Sequence, residues 1–120
     1  MRVTTTDIPG LLLIEPDVFR DPRGLILETY HAHRYADAGI PGPFVQDNCS
    51  QSIRGTLRGL HYQEPHAQGK LVMATDGTIY DVVVDIKRGR RALDGGMEPR
   101  SRRRISAKSM CLQVVRMDSA

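Results

Sequence analysis

The 120-residue sequence contains no tryptophan and only two cysteines, and aromatic residues make up 5% of it. No run approaches the roughly 20 apolar residues that a membrane-spanning helix needs. The start also lacks the basic, apolar and small-residue order of a secretory signal peptide. Cys49 and Cys111 lie far apart, without the spacing of a metal site or of a small disulfide-rich domain. We therefore expect a cytoplasmic protein with reduced thiols and no membrane partner.

Charge is unevenly distributed along the chain. Residues 1–86 hold seven Lys or Arg and eleven Asp or Glu, a net charge of −4, whereas residues 87–120 hold ten and three, a net charge of +7. The run "RSRRR" could neutralise phosphates. From Gly89 onward, however, there is no aromatic residue and no recognisable nucleic-acid-binding module. The sequence therefore does not favour nucleic acid as a partner.

Turn residues and alternating apolar residues predict a mainly β chain. Pro22 and Gly24 separate two extended runs, "LLLIEPDVF" and "LILETY". The segment "HAHRYADAG" predicts one short helix closed by Gly39. Asp76-Gly77 stands between two apolar runs and predicts a hairpin. Many short strands with one helix are typical of an antiparallel β-sandwich or barrel.

Two further β-rich runs, "FVQDNCSQSI" and "TLRGLHYQ", flank Arg54 and Gly55 and are predicted to be antiparallel neighbours joined by a tight turn. After Gly89 neither a strand period nor a helix period continues. We predict a disordered basic tail there, in which "MCLQVV" could form one strand. The chain is thus divided into a domain over residues 1–89 and a tail over residues 90–120.

Polar residues interrupt the apolar strands between positions 46 and 70, which often marks a pocket. His61 is a candidate general base, since an imidazole can take up protons at neutral pH; the alternative is a histidine that is hydrogen-bonded for structure. Arg58 and Lys70 could stabilise an enolate or hold phosphates; the alternative for each is a solvated surface charge. The other polar residues of interest are Gln46, Asp47 and Asn48, with Arg23 and Glu28 near the first turn.

The four histidines suggest a metal site as a further alternative. They are His31, His33, His61 and His66. The first two fall near the predicted helix start, where residues i and i+2 do not share a face. No third ligand has a suitable spacing. No metal site is predicted.

Three stretches carry a family resemblance: "IEPDVFRDPRGLILETY", "FVQDNCSQSIRGTLRGLHYQ" and "HAQGKLV…GTIYDVVVDI". Together they resemble the dTDP-4-dehydrorhamnose 3,5-epimerase family over about residues 8–89. The resemblance implies a cupin-like jelly roll and a homodimer in which each pocket takes residues from both chains. It also implies an isomerase of deoxysugar and polysaccharide biosynthesis that needs no cofactor. Its substrate would be a dTDP-4-keto-6-deoxyhexose, epimerised at C3 and C5.

The resemblance also implies roles for single residues. His61 would be the base, and Lys70 would lie near the keto oxygen where enolate charge develops. The remaining matches are substrate-contacting positions: Arg23, Glu28, Gln46, Asp47, Asn48 and Arg58. Arginine suits a diphosphate because its guanidinium can bind two oxygens at once.

The sequence departs from the family after Gly89, where it reads "RRALDGGMEPRSRRR". In the family the later half would supply a tyrosine acid, a second histidine and the aspartate that orients the base. Each missing acid or base typically costs about 10²–10⁴-fold in rate. We therefore expect an incomplete jelly roll with impaired epimerase activity. The alternative function is a non-catalytic cupin-like module that binds a nucleotide sugar or pairs with a full-length epimerase.

The change of composition at Gly89 is what a frameshift in a GC-rich gene would produce. We predict that another reading frame beyond the Gly89 codon encodes an aromatic-rich continuation of the family. Sequencing the gene and translating all three frames is the test, and the absence of such a continuation from every frame would rule the frameshift out.

Overall fold

The computed structural model describes residues 1–40, 42–85, 101–106 and 112–115, with the backbone alone for the last two ranges. These residues form eight strands and one helix. The elements are β1 (Arg2–Thr5), β2 (Leu11–Glu15), β3 (Val18–Asp21), β4 (Gly24–Leu27), α1 (Ala32–Asp37), β5 (Lys70–Val72), β6 (Thr78–Val83), β7 (Ser101–Ser106) and β8 (Leu112–Val115). The mainly β prediction with one short helix is confirmed.

Four strands form an antiparallel sheet in the order β1-β2-β8-β5. Strand β2 is the apolar run 11–14 followed by Glu15, and a continuous apolar run suits a strand with neighbours on both sides. The register pairs Val3 with Ile14, and it pairs Val114 with both Leu12 and Leu71. Because directly opposite residues share a face, these apolar positions all lie on one face of the sheet.

The helix α1 begins and ends at residues suited to those positions. His31 has extended dihedral angles, and its Nδ1 accepts a hydrogen bond from the Arg34 backbone N–H at 3.4 Å. At the other end, Gly39 adopts a φ of +76°, which costs glycine little. Its N–H donates to the Ala36 carbonyl, and the Ile40 N–H donates to the Tyr35 carbonyl, both at 2.9 Å. This is a Schellman motif, and the predicted closure at Gly39 is confirmed.

The hydrophobic core lies between the helix and the apolar face of the four-stranded sheet. Ile14, Tyr35 and Ile40 are each at most 2% exposed and form its centre. Partly buried apolar residues surround them: Met1, Val3, Leu12, Ala38, Phe44, Leu71 and Met73. The Tyr35 hydroxyl donates a hydrogen bond to the Thr29 carbonyl at 2.9 Å, so this phenol is buried with its polar atom satisfied.

Two two-stranded ribbons complete the described elements. Strand β3 pairs with β4 around Pro22-Arg23, as the sequence predicts, and Asp21 lies directly opposite Gly24. The Asp21 carboxylate accepts a hydrogen bond from the Arg23 backbone N–H at 2.8 Å, which fixes the turn. Strand β6 pairs with β7, and this register places Asp81 opposite Arg103.

The prediction of two strands around Arg54 and Gly55 is wrong in part. The turn forms, with Gly55 at a φ of +86° and a hydrogen bond from the Thr56 N–H to the Ile53 carbonyl. No strand is assigned between positions 42 and 69. Apolar side chains suit a strand, but a strand also needs a neighbouring backbone to bond to. Among the described residues, none lies alongside this segment as a strand partner.

The prediction of a hairpin at Asp76-Gly77 is also wrong. The Asp76 carboxylate accepts a hydrogen bond from the Gly77 N–H at 2.9 Å, and Gly77 has a φ of +69°. However, β5 pairs with β8 and β6 pairs with β7. Five residues, 73–77, separate β5 from β6, so the chain has room to pass from one sheet to another.

The prediction of a disordered tail over residues 90–120 is wrong for two segments. Strand β7 pairs with β6, and β8 lies between β2 and β5, so both find backbone partners that compensate for their weak sequence pattern. The predicted strand in "MCLQVV" is confirmed for Leu112–Val115. The rest of the tail and Cys111 lie outside the described residues. The domain boundary at Gly89 therefore stays a prediction.

The position of the core predicts that two isoleucines contribute very differently to the free energy of unfolding. Ile14 is fully buried, whereas Ile53, in the segment between α1 and β5, is 85% exposed. We expect Ile14→Ala to lower the free energy of unfolding by about 2–5 kcal/mol and Ile53→Ala to change it by less than about 0.5 kcal/mol. Urea denaturation followed by circular dichroism measures both.

If Ile14→Ala does not fold, Ile14→Val should still show a loss of about 0.5–1.5 kcal/mol. Equal effects at the two positions would contradict the placement of the core.

Candidate active site

The residues predicted to act on a substrate lie in three places. Arg23 lies in the β3–β4 turn, and Glu28 follows β4. Gln46, Asp47, Asn48, Arg58 and His61 lie in the segment between α1 and β5. Lys70 is the first residue of β5 and is exposed. Among the described residues, no hydrogen bond or ion pair joins one of these places to another.

Arg23 is held by its own turn. Its Nε and Nη2 donate to the Asp21 Oδ2 at 3.0 and 2.5 Å, and its side chain remains 90% exposed. These hydrogen bonds hold the pKa of the Asp21 carboxyl below its usual range. Being exposed, the ion pair adds little to stability, but it restricts where the guanidinium points. Arg23 is thus oriented and open to an anionic ligand.

Glu28 is paired within the chain. Both carboxylate oxygens accept from the Arg34 Nη1 at 3.0 Å, and the Glu28 side chain is 35% exposed. The pair links the residue after β4 to helix α1. Burial, followed by the nearby Glu28 charge, raises the pKa of the Tyr35 phenol, which therefore stays protonated and can donate its hydrogen bond to Thr29. A ligand contacting Glu28 would meet a carboxylate whose charge is already balanced.

The segment with most of the predicted residues is open to solvent. The Gln46 amide donates to the Asn48 side-chain oxygen at 3.2 Å, so these two residues are brought together. Asp47, Arg58 and His61 are exposed and have no side-chain hydrogen bond to another described residue. A shallow concavity follows His61 and is lined by Tyr62, Gln63, Glu64 and Pro65. The imidazole is therefore accessible, but no described carboxylate orients it.

Asp81 is a candidate that the sequence-based selection missed. It lies in β6 and is partly buried between apolar neighbours. Burial raises the pKa of its carboxyl, while a hydrogen bond from the Val82 backbone N–H opposes the shift. Perturbed carboxyl groups are more common at functional sites, although structural groups show them too. A single charged residue inside "TIYDVVV" is the sequence signal that could have singled it out.

No cation site is found in the part of the chain that the structure describes. No group of three or more His, Cys, Asp or Glu side chains there is arranged to hold a metal ion. The rings of His31, the N-cap of α1, and of His33, in its first turn, lie 6.2 Å apart.

The described ranges also contain no helix long and apolar enough to cross a membrane.

The fold of the described residues and the comparisons with known proteins show which family the chain belongs to. The described strands and the single short helix form part of a cupin-like jelly roll. Solved epimerase structures share this architecture. The sequence model of the dTDP-4-dehydrorhamnose 3,5-epimerase family matches residues 5–94. The chain belongs to this family, as the resemblance of its motifs implied.

A curated relative and two solved structures show how much of the family is present. The dTDP-4-dehydrorhamnose 3,5-epimerase of Pseudomonas aeruginosa is 53% identical over 90 residues, which are 74% of this chain and 50% of the relative. The structure of a dTDP-6-deoxy-D-glucose-3,5-epimerase from Legionella pneumophila, in complex with dTDP-4-keto-L-rhamnose, superposes with a TM-score of 0.82 at 37% identity. It covers 95% of this chain and 59% of that one.

The structure of the Bacillus anthracis dTDP-4-dehydrorhamnose 3,5-epimerase, with TDP and PPi bound, gives a TM-score of 0.81 at 34% identity. It covers 96% of this chain and 65% of that one. The chain spans about half the length of the curated relatives it matches.

The two perturbed aspartates should respond to pH in opposite directions. NMR titration of the side-chain carboxyl carbons should place Asp81 above the ordinary value of 3.8 and Asp21 below it. Because Asp81 binds its proton more tightly when folded, its charged form destabilises the fold as pH rises through the Asp81 range. Asp21 instead contributes stability above pH 3.8 that is lost as pH falls.

The matched variants Asp81→Asn and Asp21→Asn test these signs. From acid to neutral pH, the free energy of unfolding of Asp81→Asn should rise relative to the parent, and that of Asp21→Asn should fall. Parallel curves for the two variants would contradict the burial of Asp81.

Proposed function

We propose that this chain carries the proton-abstracting half of a sugar-nucleotide 3,5-epimerase. The substrate would be a dTDP-4-keto-6-deoxy sugar and the pathway dTDP-rhamnose or deoxysugar biosynthesis, which would place the chain in the cytoplasm. The observation that carries the proposal is the family match over residues 5–94, which contains every predicted site residue. Relatives with nucleotide, pyrophosphate or dTDP-sugar bound support the ligand class.

In the proposed step, His61 takes a proton from the carbon next to the ketone. The electrons of the broken C–H bond form an enolate, and the negative charge develops on the keto oxygen. The Lys70 ammonium would stabilise that oxygen. The exposure of His61 supports this role, because its ring nitrogens are not engaged by another described side chain and can accept a proton.

Phosphate and sugar contacts would come from the other polar residues. Arg23, already oriented by Asp21, is suited to the diphosphate, and so is Arg58, which forms no ion pair with another described residue. Gln46 and Asn48, joined by a hydrogen bond, can each still offer donors and acceptors to the sugar or base. Glu28 and Asp47 would complete the set of substrate contacts.

Homodimerisation would be a condition of full activity. Phe19 and Ile26 lie opposite each other on the β3–β4 ribbon and are 66% and 72% exposed. Such a pair supports a contact with a second copy, because exposed apolar side chains gain stability when they are covered.

Epimerisation needs a proton delivered to the opposite face of the sugar, and no described residue is assigned to that task. We therefore expect impaired epimerisation, while proton exchange at C3 and C5 needs only the base and solvent. A non-catalytic nucleotide-sugar-binding module is the second candidate, favoured by the absence of a described group that orients His61.

Hydrogen exchange separates the two candidates. With dTDP-4-keto-6-deoxyglucose in D₂O, we expect deuterium at C3, C5 or both. The rate should fall by about 10²-fold or more in His61→Ala, since a positioned base contributes that much. Mass spectrometry and proton NMR follow the label.

His33→Ala is the matched control, because His33 is an exposed histidine of helix α1. Exchange that survives in both variants would exclude His61 as the base. Saturable binding of the sugar nucleotide by folded protein, with no exchange at all, would identify the binding module instead.

A further inference from the structure

The ribbon of β6 and β7 carries different charges on its two faces. Strand β7 contributes three arginines and no acidic residue, whereas β6 contributes one aspartate. The register pairs Arg103 with Asp81, so one face has one charge of each sign. The other two arginine positions, Arg102 and Arg104, alternate onto the opposite face, where β6 provides no acidic residue. With two Arg and no Asp or Glu, that face has a formal charge of +2.

An aromatic residue lies on the same face as these two arginine positions. The register places Tyr80 directly opposite Arg104 and Val82 directly opposite Arg102. Directly opposite positions share a face, and their Cβ atoms are about 4.5–5.5 Å apart. Tyr80 is 59% exposed, so its ring is open to a ligand. We call these four residues the basic face of the ribbon.

This combination of residue types suits a single-stranded nucleic acid. Arginines neutralise the phosphates of such a strand, and its bases stack on exposed aromatic rings. In a duplex the bases are stacked on each other, and extruding one to reach a protein ring costs free energy. A single strand can therefore use both parts of the basic face, whereas a duplex is restricted to the arginines.

The pairing of β7 with β6 changes what the basic tail can bind. From Gly89 onward the sequence has no aromatic residue, which counts against nucleic acid as a partner of the tail alone. Tyr80 comes from before Gly89, and the strand pairing brings it to the arginine positions of β7. The fold thus supplies the stacking residue that the tail lacks.

We infer that the basic face of the β6–β7 ribbon binds single-stranded nucleic acid. One base stacks on Tyr80, and phosphates on either side of it are neutralised by Arg102 and Arg104. Such binding tolerates many base sequences, because every base has a face that can stack. The inference goes beyond the proposed function, since none of the residues assigned to the sugar nucleotide takes part.

Fluorescence anisotropy of a labelled 20-nucleotide oligo(dT) with the full 120-residue chain tests the stacking part of this inference. We expect saturable binding at low salt. Tyr80→Leu keeps an apolar side chain but removes the ring, so the affinity should fall at least about fivefold. Tyr80→Phe keeps the ring and should bind within about twofold of the parent. Urea unfolding of each variant checks that the chain remains folded.

Neighbouring arginines of β7 test the charge part of the inference. Arg104→Ala should weaken binding and reduce the slope of log affinity against log salt concentration by about 0.7, the value for one phosphate of a single strand. Arg104→Lys should restore that slope, because the positive charge returns. Arg103→Ala is the matched control, since Arg103 lies on the other face, and its slope should stay that of the parent.

Four outcomes would overturn the inference. They are no saturable binding by the folded chain at low salt, equal losses in Arg103→Ala and Arg104→Ala, unchanged affinity in Tyr80→Leu, and competition by inorganic polyphosphate as strong as that by unlabelled oligo(dT) at equal phosphate concentration. Equal losses at the two arginines would assign binding to the overall charge of the tail. The last two outcomes would show attraction to phosphates without stacking.

Discussion

Tyr35 makes the contacts on which the rest of the structure depends. Its ring packs against Ile14 and Ile40, its hydroxyl donates to the Thr29 carbonyl, and its own carbonyl accepts the N–H that closes the helix. The residue thereby joins the helix, the four-stranded sheet and the loop after β4. The Glu28–Arg34 pair lies on the same loop and helix. The position of Glu28 therefore follows from a buried phenol rather than from the sheet hydrogen bonds.

Local features of this fold could be predicted because their causes are local. The turn at Pro22-Arg23 and the helix closure at Gly39 depend on side chains and φ angles within a few residues. Strand partners are a different matter. The run after Asp76-Gly77 has the pattern of a hairpin strand, yet β6 pairs with β7, from a part of the chain that has almost no strand pattern. The alternation of apolar residues and their strand propensity indicate which face of a strand is buried. They do not indicate which other strand it pairs with.

For the candidate site, too, the sequence predicts some features and not others. Residue types at matching spacings predict His61, Lys70 and the polar residues around them as candidates, and the family match covers all of these positions. Their geometry could not be predicted from those motifs. Arg34 balances Glu28 from the next element, and Asp21 orients Arg23 from across a turn. Asp81 was missed because its significance comes from burial, which only the packing of β6 reveals.

The order of strands in the main sheet gives the tail an influence on the proposed catalytic lysine. Strand β5, which begins at Lys70, bonds to β8 and to no other described strand, and β8 in turn bonds to β2. Leu112–Val115 thus form the hydrogen-bonded bridge between the lysine's strand and the core, in the stretch beyond the family match at residue 94. Mutations in that bridge would be felt at Lys70 through backbone hydrogen bonds, even though they lie more than forty positions away in sequence. The strand that begins at the proposed catalytic lysine is therefore joined to the core through a segment that lies outside the family match.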